Sequence, residues 1–263
     1  MSYSLQLYTL RNAIAEDLPG TIKKVAEIGF TQVEPYNFVA TAAELGAALK
    51  ENGLTAPTGH APLLSADQDE IFAAAKELGI GTVIDPFVAP DKWEDAEAVL
   101  DTATRLNAAA KKGAEYGIRV GYHNHSWELG SRIEGTSALE YFVTLLDPEV
   151  VLEVDTYWAA AGGEDPIALL TRLGDRVKAV HLKDGPVPSV GARFDPEEFS
   201  SIVATQQPAG QGEVDILGVI AAATSLEVGV VEFDDYSGDI FQGIAESLDY
   251  LNANAAASEG AKA

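Results

Sequence analysis

Two of the four histidines in the chain fall in one heptapeptide, YHNHSWE at residues 122–128, and His60 and His181 complete the set. Imidazole titrates nearest neutrality of all side chains, so it serves both as a proton carrier and as a metal donor. His123, His125 and Glu128 within seven residues therefore raise three readings: a metal site, an acid–base pair or a surface cluster. Carboxylates recur at the ends of other short apolar runs, with Glu34 in TQVE, Asp155 in VVLEVD and Glu232 in GVVEF. Several carboxylates facing one cavity repel one another unless they are protonated or neutralised by a cation. A His181 nitrogen beside Asp155, Glu128 and Glu232 would make an N/O site for Mn²⁺, Mg²⁺, Co²⁺ or Zn²⁺, with Mn²⁺ preferred because imidazole suits Mg²⁺ less well. Strand alternation turns His123 and His125 to one face and Asn124 to the other, which favours a shared cavity. It leaves open which imidazole meets the metal. There is no HExxH and no cysteine, so a zincin helix, thiolate metal sites, disulfides and cysteine nucleophiles are excluded.

The elements that would position these residues alternate along the chain. Short apolar runs at 4–8, 31–34, 54–59, 81–85, 118–125, 150–155, 177–182 and 229–233 read as strands. Ala/Leu/Glu-rich helical patterns fall between them, near 16–27, 41–51, 67–78, 92–116, 136–146, 165–173, 215–223 and 238–252. Eight such alternations predict an α/β fold, a (β/α)₈ TIM barrel in one domain over residues 1–252, with 253–263 as a flexible tail. A doubly wound sheet is the alternative, but the first strand runs into YTLRN rather than a glycine-rich nucleotide loop. In a barrel the C-terminal strand ends surround the active-site mouth, and all four histidines take that address with Glu34, Asp155 and Glu232. The Pro/Gly-bounded stretch 184–215 after strand seven predicts an extended loop that covers the pocket.

Composition narrows the function. A formal charge of −24 works against a nucleic-acid or anionic-membrane partner, since phosphate contacts need clustered Lys and Arg. No stretch approaches the length of a membrane span, and MSYSLQLYTLRN lacks the form of a signal peptide, so a cytoplasmic location is expected. The expected partner is a small molecule; a homo-oligomer is compatible with the sequence but not established by it.

In SLQLYTLR (4–11), QVEPY (32–36), YHNHSWE (122–128), VLEVDTYW (151–158), VHLKD (180–184), GQGEVD (210–215) and VVEFD (230–234), the chain resembles the xylose isomerase-like TIM barrels of the sugar-phosphate isomerase/epimerase superfamily, in the subgroup with YHNHxxE. The resemblance implies a divalent metal held by two glutamates, an aspartate and a histidine. On this sequence Asp155, His181 and Glu232 match that pattern, and Glu128 is assigned as the fourth ligand. If His123 binds instead, Glu128 becomes a sugar contact or a proton-transfer group. The implied reaction is isomerisation or epimerisation of a keto sugar or polyol through an enediolate. In that reading Glu232 is the leading carboxylate for proton transfer and His125 the leading imidazole, and Gln6, Tyr8, Glu34, His60, His123, Trp158 and Lys183 are the expected substrate contacts. A metal-dependent dehydratase, or a lyase acting on an oxidised glycoside, shares the first proton abstraction and is the alternative. A non-catalytic sugar-binding barrel is the third reading.

Overall fold

Eight short strands, each with buried β-branched or aromatic residues, carry the site. They are β1 (Tyr3–Gln6), β2 (Gln32–Glu34), β3 (Thr58–His60), β4 (Thr82–Asp85), β5 (Arg119–His123), β6 (Val151–Asp155), β7 (Val177–His181) and β8 (Val228–Val231). In this computed structural model, which describes residues 2–192 and 195–260 (without the side chains of 255–260), all eight pair in parallel in the order β2–β1–β8–β7–β6–β5–β4–β3. Isolated parallel bridges Gln32↔Thr55 and Tyr36↔His60 join the two ends, so the sheet closes into the (β/α)₈ barrel expected from the alternation. A boundary at 253 falls inside the last helix, Ile240–Gly260, and residues 261–263 lie outside the described residues.

The helices begin where an aspartate can accept backbone N–H groups left unpaired at a first turn. Asp17, Asp67, Asp95, Asp165, Asp195 and Asp215 all cap in this way. Part of the acidic balance is thus spent on helix starts. Gly29 and Gly79 end two of these helices in the left-handed conformation, at φ 117° and 74°. The helices pack Ile22, Val25, Phe72, Val99, Leu106, Phe142 and Ile244 into the layer around the barrel. No helix is long and apolar enough to cross a membrane among the described residues.

Among the described residues, short helices depart from the expected pattern, Arg11–Glu16 after β1 being one. Ser126–Gly130 and Thr156–Ala161 follow β5 and β6 directly, and Pro196–Val203 lies inside the excursion after β7. Ser126–Gly130 and Thr156–Ala161, at five and six residues, are too short for a hydrophobic period to register in sequence.

Candidate active site

Strand register assembles the site. Gln6 pairs with Glu34, His123 with Glu153, and Asp155 with His181. The β6–β7 register slips between Leu152 and Glu153, a local irregularity of the kind that re-aims side chains beside active sites. The result is a buried cluster at the C-terminal strand ends, floored by Glu34, His60, His123, Glu153, Asp155 and His181.

His181 stands at its centre with its two nitrogens facing different partners. Nδ1 lies 2.6 Å from Glu232 Oε2, whereas Nε2 lies 2.9 Å from Glu34 Oε1 and 3.1 Å from Glu153 Oε2. On the Nδ1 side, Lys183 Nζ lies 2.9 Å from Asp155, 2.8 Å from Glu232 and 2.7 Å from Asp234. On the Nε2 side, Glu153 Oε2 also meets His60 Nε2 at 2.5 Å and His123 Nδ1 at 3.2 Å. Gln6 fixes Glu34 by donating Nε2 to Oε1 at 2.8 Å.

Burial and neighbours set the protonation states. Burial pushes Glu153 upward, but the charges of His181 and His60 overcome it and hold the carboxyl well below the usual range. Burial likewise opposes ionisation of Glu232, yet Lys183 and His181 keep it well below. Burial and the charge of Glu153 raise Glu34. Asp155 is pushed up to about 6 by burial, against Lys183. His181 goes the other way from a simple buried imidazole: Glu153 and Glu232 lift it well above its ordinary value. His123 falls to about 3 through burial and the charge of His181, and burial with His123 carries His125 well below the ordinary range.

Asp155, Glu232 and Asp234 thus converge on Lys183, while Glu34 and Glu153 meet the imidazoles of His60, His123 and His181. Glu34 Oε2 and Glu153 Oε1 are buried without a hydrogen-bond partner among the described residues. Among the described residues, two groups of side chains bring donor atoms within 4.8 Å of one another, His60–His123–Glu153–His181 and Asp155–His181–Glu232. Unpaired buried oxygens, an excess of anionic groups and convergent imidazoles fit a divalent ion. A divalent-metal-binding site is present in this His/Glu cluster.

The expected residues divide accordingly. Asp155, His181 and Glu232 come together. Glu128 belongs to neither group: it sits in the first turn of Ser126–Gly130, accepting from Tyr122 Oη at 2.7 Å and from the His125 amide at 2.9 Å. Burial raises its carboxyl to about 8, against the Tyr122 hydrogen bond. The physical reason is local, since a glutamate three residues into a helix reaches back to the amide before it. His125 stacks on Trp127 at 4.4 Å, 6° from parallel, and approaches Phe87 edge-on. Trp158 is buried, donates Nε1 to Asp234 and stacks on Phe199 of Pro196–Val203. The excursion after β7 therefore does reach the pocket.

The cavity above this floor has a volume of about 470 Å³. Tyr8, Arg11, Tyr36, Phe87, Trp127 and Phe199 wall it, while His60, His123, His125, Glu232 and Asp234 face into it. Sequence reasoning missed Glu153, Asp234 and Phe87. Glu153 carried a signal: it lies two residues before Asp155 in a strand, hence on the same face. Asp234, just beyond β8, and Phe87, in the loop after β4, carried none.

The family profile for xylose isomerase-like TIM barrels matches residues 22–254. The chain belongs to this family. Over 100 residues it is 32% identical to the inosose dehydratase of Lacticaseibacillus casei, a match covering 38% of this chain and 30% of that one. The chain thus aligns with about a third of the curated relative's length. Among solved structures, a sugar phosphate isomerase/epimerase from Parabacteroides distasonis superposes with a TM-score of 0.78 at 22% identity, over 96% of this chain and 93% of the other. A probable 3-DHS dehydratase involved in petrobactin synthesis, from Bacillus anthracis, superposes with a TM-score of 0.75 at 16% identity, over 96% and 99%. At these identities the structural likenesses speak for the fold. The xylose isomerase-like barrel together with its buried His/Glu cluster supports metal-dependent catalysis.

Proposed function

We propose that this chain is a divalent-metal-dependent dehydratase, a lyase that removes water from a small, sugar-derived keto substrate. The observation that carries the reading is His125. It is a neutral imidazole in the cavity wall, outside both donor groups, and braced by Trp127 beside the metal-binding cluster. The partial match to inosose dehydratases supports the same reaction class.

Asp155, His181 through Nδ1, and Glu232 would hold the ion, leaving further coordination positions for substrate. An oxygen-rich set with one imidazole suits Mn²⁺. When bound, the ion supplies an electrophile for the negative charge that develops on the substrate's carbonyl oxygen. Lys183, beside Asp155 and Glu232, adds fixed positive charge to the same region. His125 removes the proton on the carbon next to the carbonyl. The electron pair of that C–H bond becomes the new carbon–carbon double bond as the β-carbon releases its hydroxyl. His125 returns the proton to the departing oxygen, water leaves, and the imidazole is again neutral. Glu232, held ionised by Lys183 and His181, is a metal donor in this scheme rather than the proton carrier. Glu128 fixes the backbone at His125. Tyr8, Tyr36, Phe87 and Phe199 line the cavity that would hold the substrate.

Isomerisation would share the first proton transfer and differ in the second. Metal removal tests the common requirement: chelated protein should lose turnover, Mn²⁺ should restore it, and His181→Ala or Asp155→Asn should not respond. Full activity in chelated protein and in both variants would sink the reading.

A further inference from the structure

We propose a second cation site on the Nε2 side of His181, formed by His60, His123, Glu153 and Glu34. It goes beyond the dehydratase reading and stands whether or not that reaction is the right one. The four residues come from β2, β3, β5 and β6 and share no ligand with Asp155, Glu232 and the Nδ1 atom of His181.

The inner group is too crowded to be explained by hydrogen bonding alone. Glu153 Oε2 is approached by three imidazole nitrogens, from His60 at 2.5 Å, His181 at 3.1 Å and His123 at 3.2 Å. Its other oxygen, Oε1, is buried with no partner, and so is Glu34 Oε2. A carboxylate distributing hydrogen bonds would use both oxygens; this one gathers three nitrogens on one atom and leaves the other empty. A metal with bonds of about 2.0–2.1 Å to nitrogen and oxygen holds its tetrahedral donors roughly 3.3–3.4 Å apart. His60 Nε2 and Glu153 Oε2, 2.5 Å apart, are too close to bind one ion together. Glu34 Oε1 already faces Gln6 and His181, so the unpartnered Glu153 Oε1 and Glu34 Oε2 are the carboxylate donors that would join His60 and His123.

Charge points the same way. Lys183 reaches Asp155, Glu232 and Asp234, and none of its ion pairs extends to Glu34 or Glu153. The two inner glutamates have only titratable imidazoles as counter-charge. His181 can serve both sides without carrying two ions on one ring: with Nδ1 bound outside, its Nε2–H donates to Glu34 Oε1 at 2.9 Å. Two imidazoles with two carboxylates favour Zn²⁺ or Co²⁺ over Mg²⁺.

Metal content measures the site independently of turnover. The whole chain is stripped with chelator, loaded with Zn²⁺, dialysed and analysed by atomic emission, and Co²⁺ loading is followed by its visible absorption. Wild type should retain two ions per chain. Glu153→Gln and His60→Gln should each lose one ion and the tetrahedral Co²⁺ bands, while Asp155→Asn should lose only the other ion. If Glu153→Gln does not fold by circular dichroism, His60→Gln decides. A single wild-type ion that Glu153→Gln or His60→Gln abolishes and Asp155→Asn spares also supports the inner site, and overturns the Asp155–His181–Glu232 ligand set instead. Folded variants with unchanged Zn²⁺ content and unchanged Co²⁺ spectra overturn the proposal.

Discussion

At the scale of single residues, Glu128 separates two accounts of YHNHSWE. Its carboxyl is buried, raised to about 8, and engaged by Tyr122 and the His125 amide. At pH 7 the protonated form dominates, so Glu128→Gln should retain the fold within about 1 kcal/mol and retain bound metal. Glu128→Ala should cost about 2–4 kcal/mol in urea melts by leaving two buried donors unpaired. The pH dependence has a definite sign. Between the ordinary carboxyl pKa of 4.5 and about 8, the folded state binds a proton that the unfolded state has lost. Stability therefore falls with rising pH across that window by up to about 1.4 kcal/mol per unit and levels off above it. Comparing wild type with Glu128→Gln from pH 5 to 8 should show the slope reduced in the variant. Lys183→Met should destabilise the metal-free chain by about 3–5 kcal/mol, because it strands three buried or half-buried carboxylates; a urea titration reads this directly. The heptapeptide's residue types were legible in sequence, and so was the cavity shared by His123 and His125. The role of Glu128 was not, because it depends on a five-residue helix whose capping geometry outweighs any pull toward the cluster.

At the scale of elements, the closed parallel sheet was legible because eight apolar runs alternate with eight helical patterns. Glu153 escaped although it sits in the same VLEVD run as Asp155; its importance comes from its pairing with His123 across β5 and β6, which no single strand displays. The excursion after β7 was legible as a cover through its prolines and glycines, but its anchoring was not. Asp184 accepts backbone hydrogen bonds from Gly185, Gly210, Gly212 and Val214, tying the start of the excursion to its end. Gly212 is required there, since a Cβ would fall 2.2 Å from Asp184 Oδ1. Asp184→Ala should cost at least about 3 kcal/mol and open the segment between 185 and 214 to proteolysis, with KM affected more than kcat. Limited digestion followed by mass mapping checks the first effect, and steady-state kinetics the second.

At the scale of the whole molecule, a net charge of −24 is partly accounted for by helix-capping aspartates and the carboxylates of the site. The remainder repels itself across the surface, so Tm should rise as NaCl increases from about 10 to 200 mM and the Debye length shrinks from about 30 to below 10 Å. A flat response by scanning calorimetry would place the charge in locally compensated pairs. The fold turns this anionic chain into a barrel whose site carboxylates gather around few cations, a charge balance that a divalent ion would complete. The most direct measurement is the mass of the product formed by Mn²⁺-loaded protein from sugar-derived keto substrates. The account predicts a product lighter than its substrate by one water and carrying a conjugated carbon–carbon double bond; a product of unchanged mass would contradict it and return the chain to isomerisation or epimerisation.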